Sequence, residues 1–119
     1  MIKRYILLPL LLVVFASCES TTYEEIQDNT VIEGNVTYNA NVKTIIQANC
    51  ISCHSAGGTA SFRPLGTYAD VVDAVQNAGL LDRIQRQNGE DGLMPQSGRM
   101  PQSTIDIILE WNTDGLLEN

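Results

Sequence analysis

The sequence predicts an all-α domain, a bundle of three to four helices joined by long ordered loops. Three observations carry this. Apolar residues recur at helical spacing in separate stretches: Val42, Ile45 and Ile46, then Val71, Val72 and Val75, then Ile105, Ile108 and Leu109. Cap residues precede these stretches and glycines follow them. No stretch shows the sustained alternation of half-buried strands, and a short strand around residues 30–38 is the one exception that the pattern admits. With 119 residues and 44% hydrophobic content, the chain suffices for one core and is too short for two ordinary ones.

The beginning of the chain reads as separable. Lys3 and Arg4 precede an apolar run from Ile6 to Ala16, which closes in small residues before Cys18, the layout of a secretory signal peptide. The run is well short of the roughly 20 residues that a spanning helix needs, which argues against a permanent transmembrane anchor. Phe15-Ala16-Ser17-Cys18 resembles the bacterial lipobox. That resemblance implies removal of residues 1–17 and an acylated Cys18 as the lipid attachment, so that the chain is exported and tethered to a membrane on its periplasmic or outer-surface side. The alternative is a plain secreted protein with a free cysteine.

Removing the leader takes two of the seven basic residues and leaves five against fourteen acidic ones. Nucleic acid is a poor partner for such a chain, because phosphate binding needs basic patches. A basic protein partner suits it better. Residues 18–35 are polar and acidic, with Thr and Asn throughout, and read as a flexible linker. Fully extended, that linker reaches about 55 to 60 Å from a lipid surface.

Residues 36–119 then form the domain. Asn41 is the expected N-cap of a first helix running through Val42, Ile45 and Ile46 towards Cys50. Gly57 and Gly58 interrupt the following loop and permit a close backbone approach to something flat. Phe62-Arg63-Pro64-Leu65 closes that loop. Thr67 is the expected cap of a second helix that carries Tyr68, Val71, Val72 and Val75 and ends near residues 77–79, and a third helix spans residues 80–86. From Gly89 to Pro101 glycines and prolines break any period, and this loop holds Met94 and Met100. Ser103 with Asp106 suggests a modified capping box for the last helix, in which Ile105, Ile108, Leu109 and Trp111 supply the apolar face and Gly115 the stop. About 80 residues so arranged have a thin core that a large apolar ligand would help to stabilise.

The chemistry concentrates in Cys50-Ile51-Ser52-Cys53-His54. This is the attachment motif of c-type haem: two thiols at this spacing add to the two vinyl groups, and the next imidazole lies under the iron. Competing readings fall short on ligands and context. A closed zinc site takes four protein ligands, and Cys50, Cys53 and a single histidine make three. A thioredoxin-like pair would need a surrounding βαβ pattern. A Cys50–Cys53 disulfide with His54 incidental leaves the methionine loop unexplained. Because His54 is the sole histidine, a second histidine ligand is impossible within one chain, and a thioether is the natural sixth donor. Met94 and Met100 are the candidates, each followed by proline, and Met94 is preferred.

From Val36 to Gly115 the chain resembles a class I monohaem cytochrome c. Its attachment motif runs from Cys50 to His54, a Pro64-Leu65 step follows the first loop, a Met94-Pro95 loop precedes the last helix, and Trp111 lies in that helix. The resemblance implies a cytochrome c-like bundle around one covalent haem c. It also implies that Pro64 gives its carbonyl to the outer N–H of His54, and that Trp111 meets a small residue where first and last helices cross, Ala40 or Ala48 serving here. Arg63 is a candidate donor to a haem propionate, or else faces solvent. Tyr38 and Tyr68 pack at the haem edge or fill the core.

With histidine and methionine filling the iron, no position remains for oxygen or a substrate. The expected role is carriage of single electrons without enzymatic activity. A gas-binding sensor with a replaceable Met94, or an accessory haem subunit of a larger redox enzyme, is the alternative. A peroxidase would want a second histidine as distal base.

Overall fold

The chain enters the domain through a wide turn. In the computed structural model residues 32–119 are described. The leader, Cys18 and most of the linker lie outside the described residues. A π-helical turn, Tyr38–Val42, runs directly into α1 (Lys43–Asn49). Then come α2 (Ile51–His54), α3 (Tyr68–Asn77), α4 (Leu80–Gln85) and α5 (Gln102–Thr113). The described residues are all-α, and the strand that the sequence admitted near residue 30 does not form over residues 32–37.

Two of the expected caps fall elsewhere. The first helix starts at Thr37 rather than Asn41. Thr37 is extended and its hydroxyl accepts from the Ala40 N–H at 3.3 Å, while Asn41 sits inside the turn and its Oδ1 accepts from the Thr37 N–H at 3.0 Å. The N–H groups of Val42 and Lys43 reach five residues back, to Thr37 and Tyr38, which widens the turn. At α5, Ser103 is not the cap. The helix begins at Gln102 behind Pro101, whose φ of −52° is fixed by its ring, and Asp106 accepts from the Gln102 side chain at 2.7 Å. Met100 is buried just before Pro101, so the chain has already entered its helical path when it reaches Ser103. Thr67 does cap α3: its hydroxyl accepts from the Asp70 N–H at 3.2 Å, and the Asp70 carboxylate accepts from the Thr67 N–H at 2.9 Å.

The core explains the early start. Val36, Val42, Ile46, Val71, Ile105, Ile108 and Trp111 are all essentially out of water. Each such side chain contributes roughly 1.5–3 kcal/mol by leaving solvent. Tyr38, Tyr68 and Trp111 form one aromatic cluster, with ring centroids 5.5 to 6.3 Å apart. Both tyrosines therefore belong to the core. Trp111 meets Tyr38 at the crossing of first and last helical segments, not a small residue; Ala40 and Ala48 are both exposed.

Main-chain bonds then tie the two ends of the domain together. The Tyr38 and Asn39 N–H groups donate to the carbonyls of Leu117 and Glu118, at 2.8 and 3.0 Å. The Trp111 indole N–H donates to Leu117 O at 2.8 Å, and the Tyr68 hydroxyl to Leu116 O at 2.7 Å. Leu116 adopts a left-handed φ of 58° to present that carbonyl, a conformation costing a side-chain-bearing residue roughly 1–2 kcal/mol. Burial of its own side chain offsets the cost.

Candidate functional site

Within the motif Ile51–His54 form a helical turn capped by Cys50, which sequence pattern did not reveal because the turn is too short to carry a period. Cys50 has a φ of −120° and breaks α1 from α2 while its N–H still donates to Ile46 O at 2.9 Å. The His54 N–H returns to Cys50 O at 2.9 Å. One turn of helix thus brings Cys50, Cys53 and His54 to the same side, at i, i+3 and i+4.

A helix end leaves carbonyls without partners. Here the loop folds back to meet them, Ala60 N–H donating to Cys53 O at 2.9 Å and Leu65 N–H to His54 O at 3.0 Å. Gly58 allows this. A Cβ at Gly58 would collide with the Cys53 carbonyl, its carbon lying 2.7 Å away, so Gly58 permits a close approach to the chain's own backbone, while the space around Gly57 is open.

His54 is then fixed by its ring. Nδ1 lies 2.7 Å from a backbone carbonyl oxygen, which can only accept, so Nδ1 carries a proton. In the neutral ring Nε2 is left as a free lone pair, the form that ligates metals. The carbonyl belongs to Arg63, not to Pro64 as the resemblance implied. Proline restricts the residue before it to extended backbone, and it is the carbonyl of that residue which turns to the imidazole. The Arg63 guanidinium is engaged elsewhere, in an ion pair with Asp73 of α3 at 2.7 Å. Both partners are about half exposed, so the pair adds little stability.

Cys50, Cys53, His54, Met94 and Met100 all border one cavity of about 630 Å³, with Ile46, Leu65, Ile84 and Ile108 among its apolar walls. That volume is in the range of cofactor pockets, roughly 300–1,000 Å³. Met100 is 4% exposed and belongs to the core, whereas Met94 is half-buried and hangs from the Arg83 carbonyl by its N–H at 3.1 Å. Cys50 and Cys53 are free thiols. Burial pushes the Cys50 thiol up to about 11. Among the described residues no three His, Cys, Asp or Glu side chains converge on a point that could hold a metal ion. The donors are spread around a volume instead, an arrangement suited to an extended ligand with several attachment points.

Two residues of this cavity escaped sequence reasoning. Arg83 borders it from α4 and has no ion-pair partner among the described residues. Its spacing from Leu80, three residues before, was the available signal. Phe62 stands at the cavity rim with 86% of its surface exposed, and lying in a loop it had no periodicity to mark it. No protein-family model, characterised protein or solved structure matches this chain.

Proposed function

We propose that residues 36–119 form a class I cytochrome c-like domain that carries single electrons on one covalently attached haem c. The observation that supports this most is the meeting of two free thiols, a carbonyl-pinned imidazole and two thioethers around one apolar cavity. The Cys50 and Cys53 thiols add across the two vinyl groups, each S–H giving its sulfur to one carbon and its hydrogen to the other. His54 Nε2 would hold the haem iron, together with the thioether of Met94 or Met100. The bound haem supplies a ferrous/ferric couple. Apolar walls exclude water from it, and the chain has no second histidine to serve as a distal base, so the proposed role is not enzymatic.

Export and lipid tethering through Cys18 complete the proposal: a carrier held at a membrane, on its periplasmic or outer-surface side, that exchanges electrons with redox proteins there. A pyridine haemochrome spectrum and an intact mass of protein matured in a host that assembles c-type cytochromes test haem and lipid together. One haem bound through two thioethers is expected, and colourless protein with both thiols free refutes the proposal. Reduced protein mixed with CO separates carrier from gas-binding sensor. Rapid, complete CO binding would favour the sensor.

A further inference from the structure

We infer that Phe62 is the cover of the cavity mouth, an aromatic side chain that packs over the exposed edge of the ring held by Cys50 and Cys53. The inference rests on the proposed haem. Among the described residues Phe62 is the single large apolar side chain left in water, at 86% exposure, and it borders the same cavity as the two thiols. A single exposed aromatic means little by itself, and it is the position of Phe62 on the cavity that holds both thiols which gives its exposure a meaning.

The backbone around Phe62 is fixed. On one side Ala60 N–H is bonded to Cys53 O at 2.9 Å, and Arg63 N–H to Ala60 O at 3.0 Å. On the other, Arg63 O holds the His54 ring and Leu65 N–H holds His54 O. These bonds hold the backbone on both sides of Phe62 and keep the residue at the cavity border. Its neighbour Arg63 also borders the cavity but is paired with Asp73, so Phe62 is the apolar member of this loop segment at the opening. Cys53 is exposed as well, so a ring attached there brings an apolar edge to the surface beside Phe62. Packing the two together removes both from water and shields the iron from solvent, one of the factors that set a haem potential.

The test uses the full haem-loaded chain with Phe62→Ala and Phe62→Leu, haem content being read first by pyridine haemochrome. Phe62→Ala is expected to keep its haem, to show a lower midpoint potential, and to be reduced severalfold faster by ascorbate, a small hydrophilic reductant. Phe62→Leu, which restores apolar cover, should stay near wild type in both. An unchanged potential and ascorbate rate in Phe62→Ala overturn the inference. Should Phe62→Ala accumulate poorly, Phe62→Leu against Phe62→Gln, similar in size and different in polarity, reads the same two quantities. Wild type without haem withdraws the functional proposal itself; haem present with unaltered variants withdraws the cover alone.

Discussion

The imidazole Nδ1 of His54 lies 2.7 Å from the backbone carbonyl oxygen of Arg63, nine residues further on. A main-chain acceptor cannot rotate away as a side chain can, so the ring is oriented by the fold of the loop. Hydrogen bonding at Nδ1 makes Nε2 a stronger donor and favours ferric iron. Pro64 stiffens this arrangement. Pro64→Ala is expected to lower stability by about 0.4–1 kcal/mol, through a freer unfolded chain, and to raise the midpoint potential slightly. Denaturant unfolding and redox titration of the loaded protein check the two effects.

Met94 and Met100 separate by burial. Met94→Ala is expected to abolish the weak near-infrared sulfur-to-iron absorption of ferric protein and to lower the potential. Met100 is a core side chain at 4% exposure, and Met100→Ala should cost about 2–5 kcal/mol of stability while leaving that absorption in place. The reverse spectral result would make Met100 the ligand.

Tyr68 tests the closure of the two ends. Its hydroxyl reaches Leu116 O at 2.7 Å from within the aromatic cluster, so Tyr68→Phe should lose about 0.5–1.5 kcal/mol. Trp111→Ala removes the centre of the cluster and should cost about 3–5 kcal/mol, enough to unfold a marginal domain. Thermal and denaturant midpoints would show both.

Cys50 makes stability pH-dependent in protein prepared without haem. Its thiol ionises ordinarily near 9.0 and in the folded chain near 11. Between those values the folded chain binds more protons than the unfolded one, so stability falls as pH rises across that window and is unaffected below it. The loss amounts to about 2–3 kcal/mol at most. Denaturation at about pH 8 and about pH 10.5 should show this loss in wild type and a smaller one in Cys50→Ala. Cys53, exposed, should be alkylated well before Cys50.

Gly58 and Gly57 should respond differently to alanine. At Gly57, with φ +84° and open space around it, the change costs about 1 kcal/mol of backbone strain. At Gly58 the added methyl meets the Cys53 carbonyl, so the loop must shift and the yield of haem-loaded protein should drop further than for Gly57→Ala. Equal yields would count against the loop as a brace for the attachment turn.

Periodicity made the longer helices legible. Thr67 announced α3 because capping is a local interaction; the structure adds Asp70, which completes a capping box within four residues. Asn41 and Ser103 misled for the converse reason. Either is a competent cap, but Tyr38 is drawn into the aromatic cluster and Met100 into the core, and each contact starts its helix before the expected residue.

What the sequence determined by itself is the donor set and its order: two thiols and an imidazole within five residues, two methionines before the last helix, and a helical frame to hold them. Those follow from residue type and spacing along the chain. Tertiary structure alone decided that Arg63 rather than Pro64 faces the imidazole, that Trp111 meets Tyr38 rather than an alanine, and that Phe62 and Arg83 border the cavity. These are contacts between segments far apart or loops without period, and only the packing of the whole domain fixes which side chain or carbonyl arrives there.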